Sequence, residues 1–152
     1  MRQAVLLLWG LGLLGCSGSA PRTLSPWEAE RLLLRAELTV SECLRLIEDR
    51  LPELRGRLRL PPDWSPQLPT TRLVLAVLGA QAIERLRIPI SERALPEPLD
   101  VPAEHPHRKA VLLTLRAGLL EFFPNQTFRA GLAVDGYELE RFLERLMRLR
   151  GR

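Results

Sequence analysis

Asp100, Glu104, His105 and His107 crowd into positions 100–107, a mixture of carboxylates and imidazoles that could ligate zinc. Pro102 and Pro106 interrupt the run, and no His-x-x-x-His pair or cysteine partner accompanies it, so the side chains share no face on which to converge. Neither a metal nor another cofactor is expected. Acid–base work would need Glu121 beside Asp100 or Glu104, and only folding could bring them together. No serine lies in a Gly-x-Ser-x-Gly elbow. Cys43 has only Arg45 and Arg50 nearby to lower its pKa, so it reads as a small core residue and not as a nucleophile. Asn125-Gln126-Thr127 fits a glycosylation sequon, a short pattern that by itself assigns no role. The residues that could do chemistry do not assemble an enzyme, and a binding role is expected instead.

The chain that must position them has 152 residues, enough for one core domain burying roughly 70% of its unfolded surface. Its 22 basic residues include a single lysine, Lys109, and outnumber 18 acidic ones by little. Both signs alternate along stretches such as Glu138, Glu140, Arg141, Glu144 and Arg145, the pattern of a solvated helix face. Nucleic acid is therefore not an expected partner.

At the start, Arg2 precedes an uncharged run from Ala4 to Leu14. As a helix this run would span about 16 Å, half the ~30 Å of a bilayer core, so it reads as the apolar region of a signal peptide. Leu13-Leu14-Gly15-Cys16 follows and resembles the bacterial lipobox, in which a small residue precedes a cysteine that is lipidated and becomes the mature N-terminus. The resemblance implies a signal peptide over 1–15, lipidation at Cys16, export, and anchoring to a membrane. Ser17, in place of aspartate, implies sorting to the outer membrane. With Cys16 acylated, Cys43 has no intramolecular disulfide partner.

Residues 16–24 read as a tether. Beyond them the pattern is all-α, with long proline-rich loops. Ser25-Pro26-Trp27-Glu28 is a capping box opening a helix to about Leu38, and Thr39-Val40-Ser41-Glu42 opens a second that ends at Pro52. Five prolines make 52–69 a loop. Thr71–Arg87 is apolar nearly all round and should be the central helix. A second proline-rich stretch covers 88–106. A helix over His107–Ala117, with Gly118 as its left-handed cap, and a last amphipathic helix opened by Asp135-Gly136-Tyr137-Glu138 complete the set.

Asp100-Val101-Pro102-Ala103-Glu104-His105, then Gly118-Leu119, then Phe123-Pro124-Asn125-Gln126-Thr127-Phe128-Arg129, then Tyr137-Glu138-Leu139 resemble, in order and spacing, an S-layer homology repeat over 99–149. Pro62-Asp63-Trp64 and Thr71-Arg72, placed 64 residues before Asp135, resemble a degenerate second unit over about 39–87, within an N-terminal part spanning 25–98. Modules of that family are not enzymes. They pack around a pseudo-threefold bundle and hold acidic cell-wall polysaccharide non-covalently. The resemblance implies Thr71 and Arg72 at a helix start as glycan-binding residues, with Arg129 following, since a guanidinium beside free backbone N–H groups suits a glycan anion. Asp135-Gly136 stands where the family has Thr-Arg, which implies a weakened second site. His105 matches the family's opening histidine and is expected to close its loop. Two units where the family uses three leave a third lobe to be supplied by a homo-oligomer. The alternative is a module that docks another envelope protein through the apolar surface near Trp27, Trp64 or Phe122.

Overall fold

The computed structural model describes residues 23–92 and 94–151, so Cys16 and its leader lie outside the described residues. Among the described residues five helices carry the fold: α1 (Pro26–Leu33), α2 (Val40–Arg50), α3 (Arg72–Arg85), α4 (Arg108–Arg116) and α5 (Gly136–Arg150), with a 3-10 turn at Pro52–Leu54. The protein is all-α, and among the described residues extended pairing is limited to isolated bridges at Thr39–Pro69 and Thr71–Ala133.

The helix starts are where their capping residues place them. Ser25 and Thr39 each close a reciprocal capping box, with Glu28 and Glu42. Burial alone would raise the Glu42 carboxyl, but hydrogen bonds from the Thr39 N–H and hydroxyl, together with the Arg35 guanidinium, outweigh it and hold the pKa below its ordinary value. Gly118 takes the left-handed conformation after α4 (φ +70°).

One boundary differs from the sequence pattern. α1 stops at Leu33 and does not run on to Leu38. Its would-be continuation is committed elsewhere: the Arg35 carbonyl accepts from Gly136 N (3.0 Å), the Leu38 carbonyl accepts from Thr70 N (2.6 Å), and Leu38 itself is buried. Tertiary bonds and one buried leucine outweigh the helix propensity of the segment.

α3 is buried on almost every side. Gly79 lets its neighbours in, since a Cβ there would stand 3.0 Å from both the Phe142 ring and the Thr114 methyl. Phe128, Phe142, Leu75, Leu78, Leu139 and Leu143 fill the centre of one continuous apolar cluster. The loops are fastened to it. Gln81 on α3 accepts from Arg59 N and donates to Arg59 O (both 2.7 Å), and the Asp100 carboxylate accepts from Phe128 N and Arg129 N (both 2.6 Å).

α2, α3 and α5 begin alike. Thr39, Thr71 and Asp135 each accept, through the side chain, from the amide three residues on. At α2, Val40 N and Ser41 N donate to Leu68 O and Pro66 O (both 2.9 Å), while Thr70 N returns to Leu38 O. At α3 the same pattern recurs: Arg72 N and Leu73 N donate to Leu132 O (2.9 Å) and Ala130 O (3.0 Å), and Val134 N returns to Thr70 O (2.8 Å). At α5, Gly136 N donates to Arg35 O, in the segment that leads into α2. Each helix start is thus held by the chain entering the next, and the third hands back to the first. These three corners form a closed ring.

Thr39 lies 32 residues before Thr71, half the 64-residue spacing to Asp135, and its bonding makes α2 the counterpart of α3 and α5. All three corners are formed within one chain.

Candidate functional site

Where the α3 and α5 corners meet, the surface opens into a cleft of about 490 Å³. The chain after Gly118 supplies one wall through Leu119–Phe123, and Leu132 and Ala133 supply a second. The first turns of α5 give the third: Glu138, Arg141, Phe142 and Arg145 recur at three- and four-residue intervals and so share one helix face. Tyr137, 69% exposed, stands at the rim.

Arg72 forms part of the floor and is only 5% exposed. Each of its three guanidinium nitrogens is engaged: Nε donates to Phe128 O (2.8 Å), one terminal nitrogen donates to Glu121 O (2.6 Å), and the other pairs with Glu138. It also lies over the Phe123 and Phe128 rings, at 4.9 and 5.0 Å. Glu138 is drawn out of the capping box that Asp135-Gly136-Tyr137-Glu138 suggested, because the buried cation holds its carboxylate. The planar five-donor fork suits this position, where three acceptors converge from different directions.

Of the residues singled out in the sequence, Thr71 caps α3, accepting from Val74 N (3.4 Å). Arg129 is exposed, in a left-handed conformation (φ 56°), with its guanidinium 4.0 Å from the Phe123 ring centre. Phe123 therefore brings Arg72 and Arg129 together, although Arg129 does not line the cleft. The amides at the start of α3 are not free, because Arg72 N and Leu73 N serve the Leu132 and Ala130 carbonyls. An anion reaching Arg72 would have to displace Glu138.

Sequence reasoning did not single out Tyr137, Arg141 and Arg145 as a group. Their i, i+4, i+8 spacing was the available signal, but alternating charge made it look like an ordinary solvated face. In the fold, Arg145 pairs with Glu121 (2.6 Å) and donates to Leu119 O (3.3 Å), while Arg141 stands 3.6 Å from Glu121 and lies over the Tyr137 ring. Three arginines in the cleft face three carboxylates, those of Glu121, Asp135 and Glu138, so it carries no net charge. A ring to stack on, guanidinium donors and carboxylate acceptors equip it to bind a polar chain.

The other candidates stay apart. Asp100 is engaged with loop amides, Glu121 with arginines, and His105 Nδ1 accepts from His107 N (3.1 Å), closing its own loop. Among the described residues, no three His, Cys, Asp or Glu side chains are grouped to hold a metal ion. Cys43 is fully buried. Burial pushes its thiol up to about 12, with the nearby Thr70 hydroxyl opposing the shift, so the reactive thiolate is suppressed. Trp64 is half-buried edge-on to His107, with ring centres 5.1 Å apart. No helix among the described residues is long and apolar enough to cross a membrane. Compared with known proteins, the chain matches no family model, no curated sequence and no solved structure.

Proposed function

We propose that this protein is an exported lipoprotein, anchored through Cys16 in the outer membrane, whose helical domain binds a cell-wall polysaccharide non-covalently in the cleft between the α3 and α5 corners. The reading rests on the lipobox-like Leu13-Leu14-Gly15-Cys16, on the S-layer-homology-like motifs of 99–149, and above all on the rim where Tyr137 lies beside Arg141. Flat sugar faces stack on such a ring, and hydroxyl or carboxylate groups are matched by the guanidinium. Arg72 then acts as the residue that holds the cleft walls together, and Tyr137 and Arg141 make the contact.

Co-sedimentation of the purified protein with cell-wall sacculi, before and after chemical removal of the wall polymer, tests this. Pelleting should vanish with the polymer and fall about tenfold in Tyr137→Ala and Arg141→Ala, both exposed enough to leave the fold intact. Equal pelleting by the variants, or none by the parent, would refute it.

A second reading, a module docking another envelope protein, draws on the cleft's charge balance and on exposed Leu132 beside Tyr137. In that case cross-linking from a Tyr137-proximal site captures a defined protein, and polymer removal changes nothing.

A further inference from the structure

The outer side of α1 is unlike the rest of the surface. Trp27 is 62% exposed and Leu34 81%, two large apolar side chains seven residues apart on one helix face, with Arg31 between them over the Trp27 ring (4.9 Å). The opposite side of the helix, through Ala29, is the buried one. Beside this face runs a groove of about 310 Å³ whose walls include Arg31, Arg35 and Arg45, with Leu24 and Glu28. Arg35 pairs with Glu42, and Glu28 serves the helix cap, so much of the local negative charge is already committed. Glu30, three residues after Trp27 and four before Leu34, lies on the same face and is exposed, the one acidic side chain on it between them.

The chain enters the domain at this place. Leu24 N donates to Asp49 Oδ1 (3.3 Å), which fixes the entry point against α2 and next to the groove. Thr23 lies seven residues beyond Cys16, a reach of at most about 25 Å. An acylated Cys16 therefore holds α1 within a short distance of the bilayer, and the groove arginines match anionic headgroups.

We propose that the Trp27–Leu34 face of α1 docks on the anionic membrane surface that holds the anchor, with Trp27 and Leu34 at headgroup depth and Arg31 and Arg45 against lipid phosphates. The inference rests on Cys16 being the lipid anchor. Tryptophan favours this interfacial depth because its ring is apolar and its N–H stays wet. Each arginine near such a surface contributes about fivefold in affinity.

The test uses the full chain as purified from cells, its N-terminus and acylation read by mass spectrometry, in phosphatidylcholine vesicles with and without one-third phosphatidylglycerol. Brominated lipid reports depth through tryptophan quenching. The expected result is quenching in anionic vesicles that disappears in Trp27→Phe, persists in Trp64→Phe, and falls at least fivefold in Arg31→Glu with Arg45→Glu. Absence of Trp27 quenching in the acylated protein overturns the docking while leaving the anchor intact. If mass spectrometry finds no acyl group, the anchor reading fails, and the docking that rests on it fails with it. Trp27 shielded equally in water and in vesicles would mean that the segment before Thr23 covers the face, which also overturns the proposal.

Discussion

Gly136 is the first residue of α5 and the point where the ring of corners closes. Its N–H donates to Arg35 O at 3.0 Å, and an added Cβ would stand 2.5 Å from Leu33 Cα and closer still to the Leu33 carbonyl. The obstacle is backbone, so no side-chain rotation relieves it. Gly136→Ala must push α1 away from α5, at about 1–3 kcal/mol for overpacking, and lose a hydrogen bond worth about 0.5–1.5 kcal/mol. The better helix propensity of alanine returns up to ~1 kcal/mol. The net expectation is a loss of about 2–3 kcal/mol, which lowers Tm by roughly 6–10 °C for a domain of this size. Gly131→Ala is the control, since a Cβ there meets nothing within 4 Å. Denaturant unfolding followed by circular dichroism measures both. If Gly136→Ala is as stable as Gly131→Ala to within 0.5 kcal/mol, the close approach of α1 to α5 does not exist as described, and the ring is open at that joint.

Arg72→Ala leaves the Glu138 carboxylate and two carbonyls without their partner and should cost about 3–5 kcal/mol in chemical denaturation; Arg72→Lys, lacking the fork, should recover less than half. Asp100→Ala removes the acceptor for Phe128 N and Arg129 N, an expected loss of about 1–2 kcal/mol, with faster amide exchange at those two positions in NMR. The native Cys43 thiol should resist an aromatic disulfide reagent at pH 8 and react fully once unfolded. Its raised pKa stabilises the fold fully below the ordinary value of 9.0, and that contribution is lost as pH rises toward about 12, by up to ~1.4 kcal/mol per pH unit. The stability difference between wild type and Cys43→Ala should shrink over that window, and a flat difference would contradict the assigned burial.

The parts of this fold legible in the sequence are those with local causes. Ser25, Thr39, Thr71 and Asp135 announce helix starts through side chains that bond amides three residues away, and Gly118 announces a left-handed turn. The near-continuous apolar run of α3 marked it as central, and its burial agrees. What could not be read is what depends on distant partners. Leu34–Leu38 has the composition of a helix, and only Gly136 and Thr70, far along the chain, take its carbonyls. Arg72 offers no local sign of burial, because its partners lie far along the chain: Glu138 pairs with it, and the Glu121 and Phe128 carbonyls accept from it. The cleft followed the same rule. Its walls come from three separated stretches, and the 32-residue spacing that would have exposed the third corner was masked by a Val-Ser pair at α2 where α3 has Arg-Leu.

Closing the ring has a kinetic side. The α2 corner joins segments about thirty residues apart and the α3 corner segments about sixty apart, whereas the joint between Arg35 and Gly136 spans about a hundred. Loop-closure entropy grows as the logarithm of that separation, so the last joint costs about 1 kcal/mol more than the first, and a single short helix holds its far side. α1 thus acts as a latch: its joint with the start of α5 cannot engage until α5 has been made. A polypeptide leaving the ribosome would carry two finished corners and an open seam until its final helix arrived.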